Sequence, residues 1–181
     1  MELLGKITSK KRRQTVTTWL RIERKSFENP SLNVGDVVEV NNKRYVVLHI
    51  ITSYVSYSSD IIYSVVAQDL SVNVRLFDHA KVYPTVKNTD NIKTGEFYKT
   101  KQCLWVTITD SPEGDFVFTY ILDGVKSTEA NEDNINITAI YKYVPILKQA
   151  EVNSIIYKEK IKKFKLVKSK EEGQSWQLCI Y

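Results

Sequence analysis

The sequence predicts a mostly β fold, an antiparallel barrel or sandwich of about ten strands with at most one or two short helices. Three observations support this prediction. Apolar and polar residues alternate along several short segments, β-branched and aromatic residues are concentrated in those segments, and Gly, Pro, Asn and Asp separate them. Helical periodicity is scarce, so helices are expected only as minor elements.

The clearest strands are predicted in the N-terminal half. Residues 14–24 alternate between apolar and polar side chains, which predicts one half-buried strand. Residues 36–40 and 43–51 predict a hairpin, because Asn41 and Asn42 between them tolerate the positive φ that a two-residue turn needs.

The same signals assign the remaining elements. Residues 88–95, rich in Asn, Thr, Asp and Gly, are predicted to be a linker or long loop, and residues 123–134 an exposed acidic loop. Residues 146–157 are the stretch in which a short helix competes best. Pro112 and Gly114 predict a turn within residues 111–115. Further strands are predicted at residues 61–68, 71–77, 97–109, 116–122, 136–144, 161–168 and 175–181.

The sequence leaves two domain organisations open. Residues 1–87 and 96–181 can form two β modules joined by residues 88–95, or the whole chain can form a single domain. A chain of 181 residues buries enough surface to form a core without disulfides.

Cysteine usage and hydropathy predict the compartment. Cys103 and Cys179 lack a CxxC spacing and are expected to be free thiols in a reducing compartment. The first residues lack the apolar run of a signal peptide, and no segment reaches the roughly 20 apolar residues of a membrane span. We therefore expect a cytoplasmic or virion protein that is not secreted through a signal peptide and does not enter a membrane.

No catalytic, cofactor or metal site is predicted. The chain has no GxGxxG, GxxxxGK or GxSxG segment and no HExxH or CxxC spacing. His49 falls in a predicted strand, where a hydrogen-bonded sheet residue is expected, and Asp78 and His79 are neighbours that do not form a catalytic pair by adjacency alone. We expect a non-enzymatic protein without a cofactor or a small-molecule substrate.

Charge is unevenly distributed along this chain, whose formal net charge is +5. Residues 1–25 contain eight Lys or Arg and two Glu, and residues 158–170 contain seven Lys and one Glu. Residues 110–133 contain seven acidic residues and one Lys. Such segments suit solvated surface, contact with a phosphate backbone, or head-to-tail association of subunits.

The basic N-terminal segment supplies the candidate nucleic-acid contacts. Lys and Arg side chains give sequence-independent, salt-dependent binding to phosphates, and exposed aromatic side chains on a sheet can stack unpaired bases. Trp19 lies within this segment. The predicted contact residues are Lys10, Lys11, Arg12, Arg13, Arg21, Arg24 and Lys25.

The C-terminal segment supplies the candidate assembly interface. Residues 158–170 interleave Lys with apolar residues, which predicts a strand at a sheet edge, because lysines commonly protect exposed edges. Such an edge can accept a strand from a neighbouring subunit, and residues 110–133 offer complementary charge. The predicted interface residues are Lys160, Lys162, Lys163, Lys165 and Trp176.

One segment resembles a known family. Gly35, Asp36, Asn41, Tyr45 and Val47 follow the pattern G-D-x-x-x-x-N-x-x-x-Y-x-V. This pattern is similar to one in bacteriophage head-tail connector proteins of the head-closure or ring type. The resemblance covers residues 35–48, implies a small SH3-like or OB-like barrel in a virion structural protein, and assigns no functional residue.

Three functions from different classes follow from these observations. The leading hypothesis is a non-enzymatic structural subunit of a larger particle, such as a phage connector, which forms a homo-oligomer or contacts other particle subunits. The second is a β-barrel that binds single-stranded nucleic acid without sequence preference. The third is a phage inhibitor that binds one host protein.

Overall fold

The fold is mostly β, as predicted. The structure, a computed structural model, describes residues 13–25, 31–75, 77–79, 82–111 and 114–171. The chain divides into two compact units, Met1–Ile146 and Leu147–Tyr181. Within the described ranges the elements are β1 (Arg13–Thr15), β2 (Thr17–Lys25), β3 (Val37–Val40), β4 (Lys43–Val55), β5 (Asp60–Asp69), β6 (Thr85–Lys93), β7 (Cys103–Ser111), β8 (Gly114–Asn131), β9 (Asn134–Tyr143) and α1 (Gln149–Glu171).

Four strands form a flat antiparallel sheet, here called the small sheet, in the order β2-β5-β4-β3. The predicted hairpin is confirmed: Val40 pairs with Lys43, and the φ angles of Asn41 and Asn42 are 51° and 60°. Asn adopts this left-handed region more readily than most residues because its short polar side chain bonds locally. One face of the small sheet carries an apolar cluster formed by Leu32, Val38, Val47, Tyr63, Val65 and Ala67.

Five strands form a second sheet, here called the large sheet, which curls into a half-barrel. Strand β8 pairs with β1, β7 and β9, and β9 pairs in turn with β6. The predicted second hairpin is confirmed by the antiparallel pairing of β7 with β8; residues 112–113 of its turn lie outside the described residues. The core of this sheet is an aromatic cluster that includes Phe77, Phe116, Phe118, Tyr120 and Tyr141.

Residues 14–24 form parts of two strands, so the prediction of a single strand is wrong. The chain passes from one sheet to the other at Val16, which is fully buried. Its N–H donates to the carbonyl oxygen of Val117 at 3.0 Å, and its own carbonyl accepts from the N–H of Asp69 at 2.9 Å. The backbone of Val16 therefore bonds to both sheets. The alternation of apolar and polar residues continues without interruption through Val16 into β2, so the sequence shows no break at this point.

Two segments predicted as irregular are strands. Most of residues 88–95 belongs to β6, and most of residues 123–134 belongs to β8 and its turn to β9. These stretches are polar and exposed, and pairing with a neighbouring strand continues the ladder through them. The aromatic core contains residues from both sides of 88–95: Val74 and Phe77 precede this segment, and Phe118 follows it. The division into modules at residues 1–87 and 96–181 stays a prediction.

The described residues of the predicted strand 71–77, namely 71–75 and 77, are not in a strand, so that prediction is wrong for them. Asp69 ends β5 by binding the residue two positions ahead: its Oδ1 accepts from the N–H of Ser71 at 2.8 Å and from the Ser71 hydroxyl at 2.6 Å. This local side-chain turn competes with continued strand pairing.

The second unit contains the helix α1, which corrects two predictions. A helix was expected over residues 146–157, but it runs to Glu171 and therefore replaces the strand predicted at 161–168. Lys and Glu are strong helix formers, and Oε2 of Glu151 accepts the Lys148 N–H at 2.8 Å in the first turn. Residues 175–181, the predicted partner strand, lie outside the described residues.

Candidate functional site

The open face of the small sheet presents an aromatic and a basic side chain. Strand β2 lies at the edge of this sheet, and its residues alternate between half-buried and exposed. Trp19, which is 45% exposed, and Arg21 therefore point to the same side. The opposite side of β2 carries Leu20 and Ile22, which pack against the apolar cluster.

Strand β7 of the large sheet supplies a second exposed tryptophan. Leu104 and Val106 pack against the aromatic core, so Cys103 and Trp105 lie on the other face of the strand. Trp105 is 51% exposed, whereas Cys103 is buried in a cluster with Val66 of the small sheet. This cluster joins the faces of the two sheets that carry the tryptophans.

The two tryptophans line one pocket. Its volume is about 450 Å³, and its polar groups come from hydroxyl, amide and ammonium side chains without a carboxylate among the lining residues. The lining residues are Trp19, Thr52, Ser64, Lys101, Gln102, Cys103 and Trp105. The pocket thus combines two flat apolar surfaces with a cation and neutral hydrogen-bonding groups.

Strand β4 brings a third aromatic side chain to the same face. Tyr54 is 51% exposed and pairs with Ile62, whose side chain shares a face with Ser64. The register of β4 against β5 shifts between Val47 and His49 and again between Ile50 and Thr52. Each shift reverses the alternation of side chains, so the two together return Thr52 and Tyr54 to the face on which Val46 lies, which is the pocket side.

The lining of the pocket contains one cation, Lys101, and a neutral thiol, and further along the same face of β2 Glu23 lies between Arg21 and Lys25. Lys101 lines the pocket and Arg21 extends the same face of β2. Burial raises the pKa of the Cys103 thiol above its usual range. A protonated, buried thiol is a poor nucleophile, so Cys103 contributes packing to the wall of the pocket.

The predicted nucleic-acid residues do not form one surface. Arg21 and Lys25 lie on the exposed face of β2, whereas Arg24 lies on the opposite face, because neighbouring residues on a strand point to opposite sides. Arg13 belongs to β1 and lines a different, polar cleft of about 490 Å³. Lys10, Lys11 and Arg12 lie outside the described residues.

Sequence reasoning missed the second wall of the pocket. Lys101, Cys103 and Trp105 are far from β2 in the sequence, and only the packing of the two sheets brings them to Trp19. The pattern along β7 could have shown which of its residues share a face. Cys103, Trp105 and Thr107 alternate there with the apolar Leu104 and Val106.

The predicted assembly lysines lie on a helix. Lys160, Lys162, Lys163 and Lys165 belong to α1, so the edge strand that was expected to present them is wrong. Lys162 pairs with Glu159 at 3.2 Å, an exposed contact one turn away. The side chain of Lys165 and all of Trp176 lie outside the described part of the structure.

Comparisons of the chain with protein-family models, with curated proteins and with solved structures found no match.

No group of three or more His, Cys, Asp or Glu residues within the described ranges could hold a metal ion. The helix in the described part of the chain is not apolar enough to cross a membrane.

Proposed function

We propose that the chain is a non-enzymatic protein that binds single-stranded nucleic acid without sequence preference. The observation that carries this proposal is the pocket between the two sheets, where the half-exposed Trp19 and Trp105 lie together with Lys101. Proteins of this class combine stacking surfaces for bases with a positive groove for the backbone. Arg21 and Tyr54 extend both features along the open face of the small sheet.

The chemistry of the pocket favours an unpaired base as its occupant. An exposed indole face stacks on any base, which explains binding without sequence readout. Thr52, Ser64 and Gln102 offer donors and acceptors to base edges, and Lys101 offers a cation to a phosphate. A paired base in a duplex would present neither of its faces to the tryptophans.

The proposal is tested by tryptophan fluorescence during titration with a single-stranded oligonucleotide of mixed sequence. Trp19→Ala and Trp105→Ala should each weaken binding by about 1–3 kcal/mol, or about 5- to 150-fold in Kd, because each removes one stacking surface. Tyr83→Ala is the matched control, since Tyr83 is exposed but does not line the pocket. Its affinity should equal that of the unmodified chain.

Salt dependence provides the second readout of the same experiment. Replacing Lys101 or Arg21 with Ala should reduce the slope of log K against log salt by about 0.7 for each single-strand phosphate contact removed. If both tryptophan variants bind as tightly as the control, or if duplex DNA binds more tightly than the single strand, the proposal is wrong.

A second proposal is that the chain is a subunit of a larger particle, as the connector-like segment at residues 35–48 implies. The outer parts of β6 and β8 support it, because they extend the large sheet with mostly exposed polar residues on either side of β9. The half-barrel curl of the large sheet supports the expectation of a closed SH3-like or OB-like barrel, which stays a prediction. Native mass spectrometry with components encoded by neighbouring genes would test the particle; failure to recover any complex would count against it.

A further inference from the structure

Strand β6 forms one edge of the large sheet. It pairs antiparallel with β9 along its whole length, and within the described residues no strand pairs with its other side. One hydrogen bond at each end of β6 shows which of its residues bond to β9. The Tyr143 N–H donates to the Pro84 carbonyl at 2.9 Å, and the Thr94 N–H donates to the Asp133 carbonyl at 2.8 Å.

The pattern of hydrogen bonds to β9 determines which backbone groups of β6 face outward. In an antiparallel pair, alternate residues direct both their N–H and their C=O to the partner strand. Because Pro84 and Thr94 bond towards β9, the even-numbered residues between them do the same. Thr85, Lys87, Thr89 and Asn91 therefore direct their backbone groups away from the sheet.

Side chains hold this edge in an extended and regular form. The Thr89 hydroxyl lies 3.0 Å from the Thr138 hydroxyl, and Nδ2 of Asn91 donates to Oδ1 of Asn136 at 2.8 Å. At the end of the strand the Lys93 N–H, which also points outward, donates to Oε2 of Glu96 at 3.1 Å. The open edge therefore ends at Lys93, and the residues before it form a continuous template, without a bulge in the pairing with β9, for another strand.

We infer that a second copy of this chain binds at this edge, with its own β6 antiparallel to the first and Thr89 opposite Thr89 of the partner subunit. This register places Val86 opposite Ile92 of the partner subunit, so two half-buried apolar side chains meet. It also places Asn88 opposite Asp90 of the partner subunit, an amide beside a carboxylate. No two like charges lie directly opposite each other.

The neighbouring registers that satisfy the same backbone groups are unfavourable. A shift in one direction places Asp90 opposite its own copy and Lys87 opposite Lys93 of the partner subunit, and like charges in directly opposed positions destabilise a sheet. A shift in the other direction places Val86 opposite Asp90 of the partner subunit. Charged residues commonly protect edges against other strands. Here they leave one self-complementary register, and the contact is isologous with twofold symmetry.

Disulfide trapping tests this register. Thr89→Cys should form a covalent dimer under mild oxidation, because opposed residues in a hydrogen-bonded antiparallel pair have Cα atoms about 5.5 Å apart, within the range for a disulfide. Asn91→Cys is the matched control, since its two copies would lie several residues apart. The unmodified chain, with Cys103 and Cys179, gives the background. Cross-linking of Asn91→Cys as strong as that of Thr89→Cys would overturn the inference.

Mass in solution provides the independent measurement. Light scattering should show a concentration-dependent dimer that Thr89→Pro abolishes, because proline removes an outward N–H without breaking the ladder to β9. Thr89→Ala, which loses only the hydroxyl, should still dimerise. A strictly monomeric chain at high concentration would refute the proposal, as would an unchanged dimer in Thr89→Pro. None of these outcomes depends on the tryptophan pocket.

Discussion

The two halves of β8 form one continuous strand but differ in their partners and in their burial: the inner half pairs with β1 and β7, and the outer half pairs with β9. In the inner half, Phe116, Phe118 and Tyr120 are fully buried in the aromatic core. In the outer half, residues 125–131 are exposed, and their pairing partner is β9. A register shift between Leu122 and Gly124 marks the boundary. A strand can thus extend beyond its core when a neighbour satisfies its backbone groups, and its stability there depends on pairing rather than burial.

The largest expected difference between the halves comes from removing an aromatic ring. Phe118→Ala should lower the free energy of unfolding by about 3–5 kcal/mol, because it leaves a cavity in the core. Ser127→Ala in the outer half should change it by less than about 0.5 kcal/mol. Urea denaturation measures both.

Phe118→Leu extends this test in case the alanine variant does not fold. It should cost less than Phe118→Ala because it leaves a smaller cavity. Equal costs for the inner and outer substitutions would contradict the comparison.

Two paired tyrosines, Tyr120 in the inner half of β8 and Tyr143 in β9, allow a finer test. The Tyr120 hydroxyl donates to the Tyr83 carbonyl at 2.9 Å, whereas the buried Tyr143 hydroxyl has no hydrogen bond of ordinary geometry among the described residues. Tyr120→Phe should therefore destabilise the protein by about 0.5–1.5 kcal/mol. Tyr143→Phe should be neutral or stabilising at neutral pH, because it removes a desolvated polar group. The opposite order would contradict this account.

The same pair predicts how stability depends on pH. Burial raises the pKa of Tyr143 to about 12, and the nearby Ile146 backbone lowers it by a smaller amount. A phenol whose pKa is higher in the folded state than at its ordinary value of 10.0 contributes stability that is fully present below pH 10 and is lost as the pH rises through 12. Unfolding midpoints measured between pH 8 and 12 should fall less steeply for Tyr143→Phe.

The smallest effect is expected from a hydroxyl pair between β6 and β9, where β9 pairs with the outer half of β8. Thr138→Ala removes the 3.0 Å contact with Thr89, which is exposed and exchanges with water, so the cost should stay below about 1 kcal/mol. Thr119→Ala is the inner counterpart. It removes a buried hydroxyl that donates to the Thr17 carbonyl at 3.2 Å, and it should cost more. Similar losses would show that β9 beside the outer half of β8 is as firmly packed as the inner half.

The elements that the sequence predicted well are those in which a local signal and the fold agree. The hairpin at Asn41 and Asn42 follows from turn chemistry within a few residues, and its register needs no distant contact. Strand β6 and the outer half of β8 could not be recognised as strands. A strand that is exposed on both faces lacks apolar alternation and resembles a loop in the sequence. The helix α1 was predicted too short because its lysines and apolar residues fit more than one interpretation.

The sequence by itself determined the mostly β fold and the alternation of side chains along β2, since both follow from the pattern of single strands. Only the tertiary structure decided that Val16 transfers the chain between sheets and that Trp105 and Lys101 meet Trp19 in one pocket. The physical reason is that a strand's own pattern specifies which side chains are buried but not which distant strand covers them. That choice depends on the combined packing of both sheets.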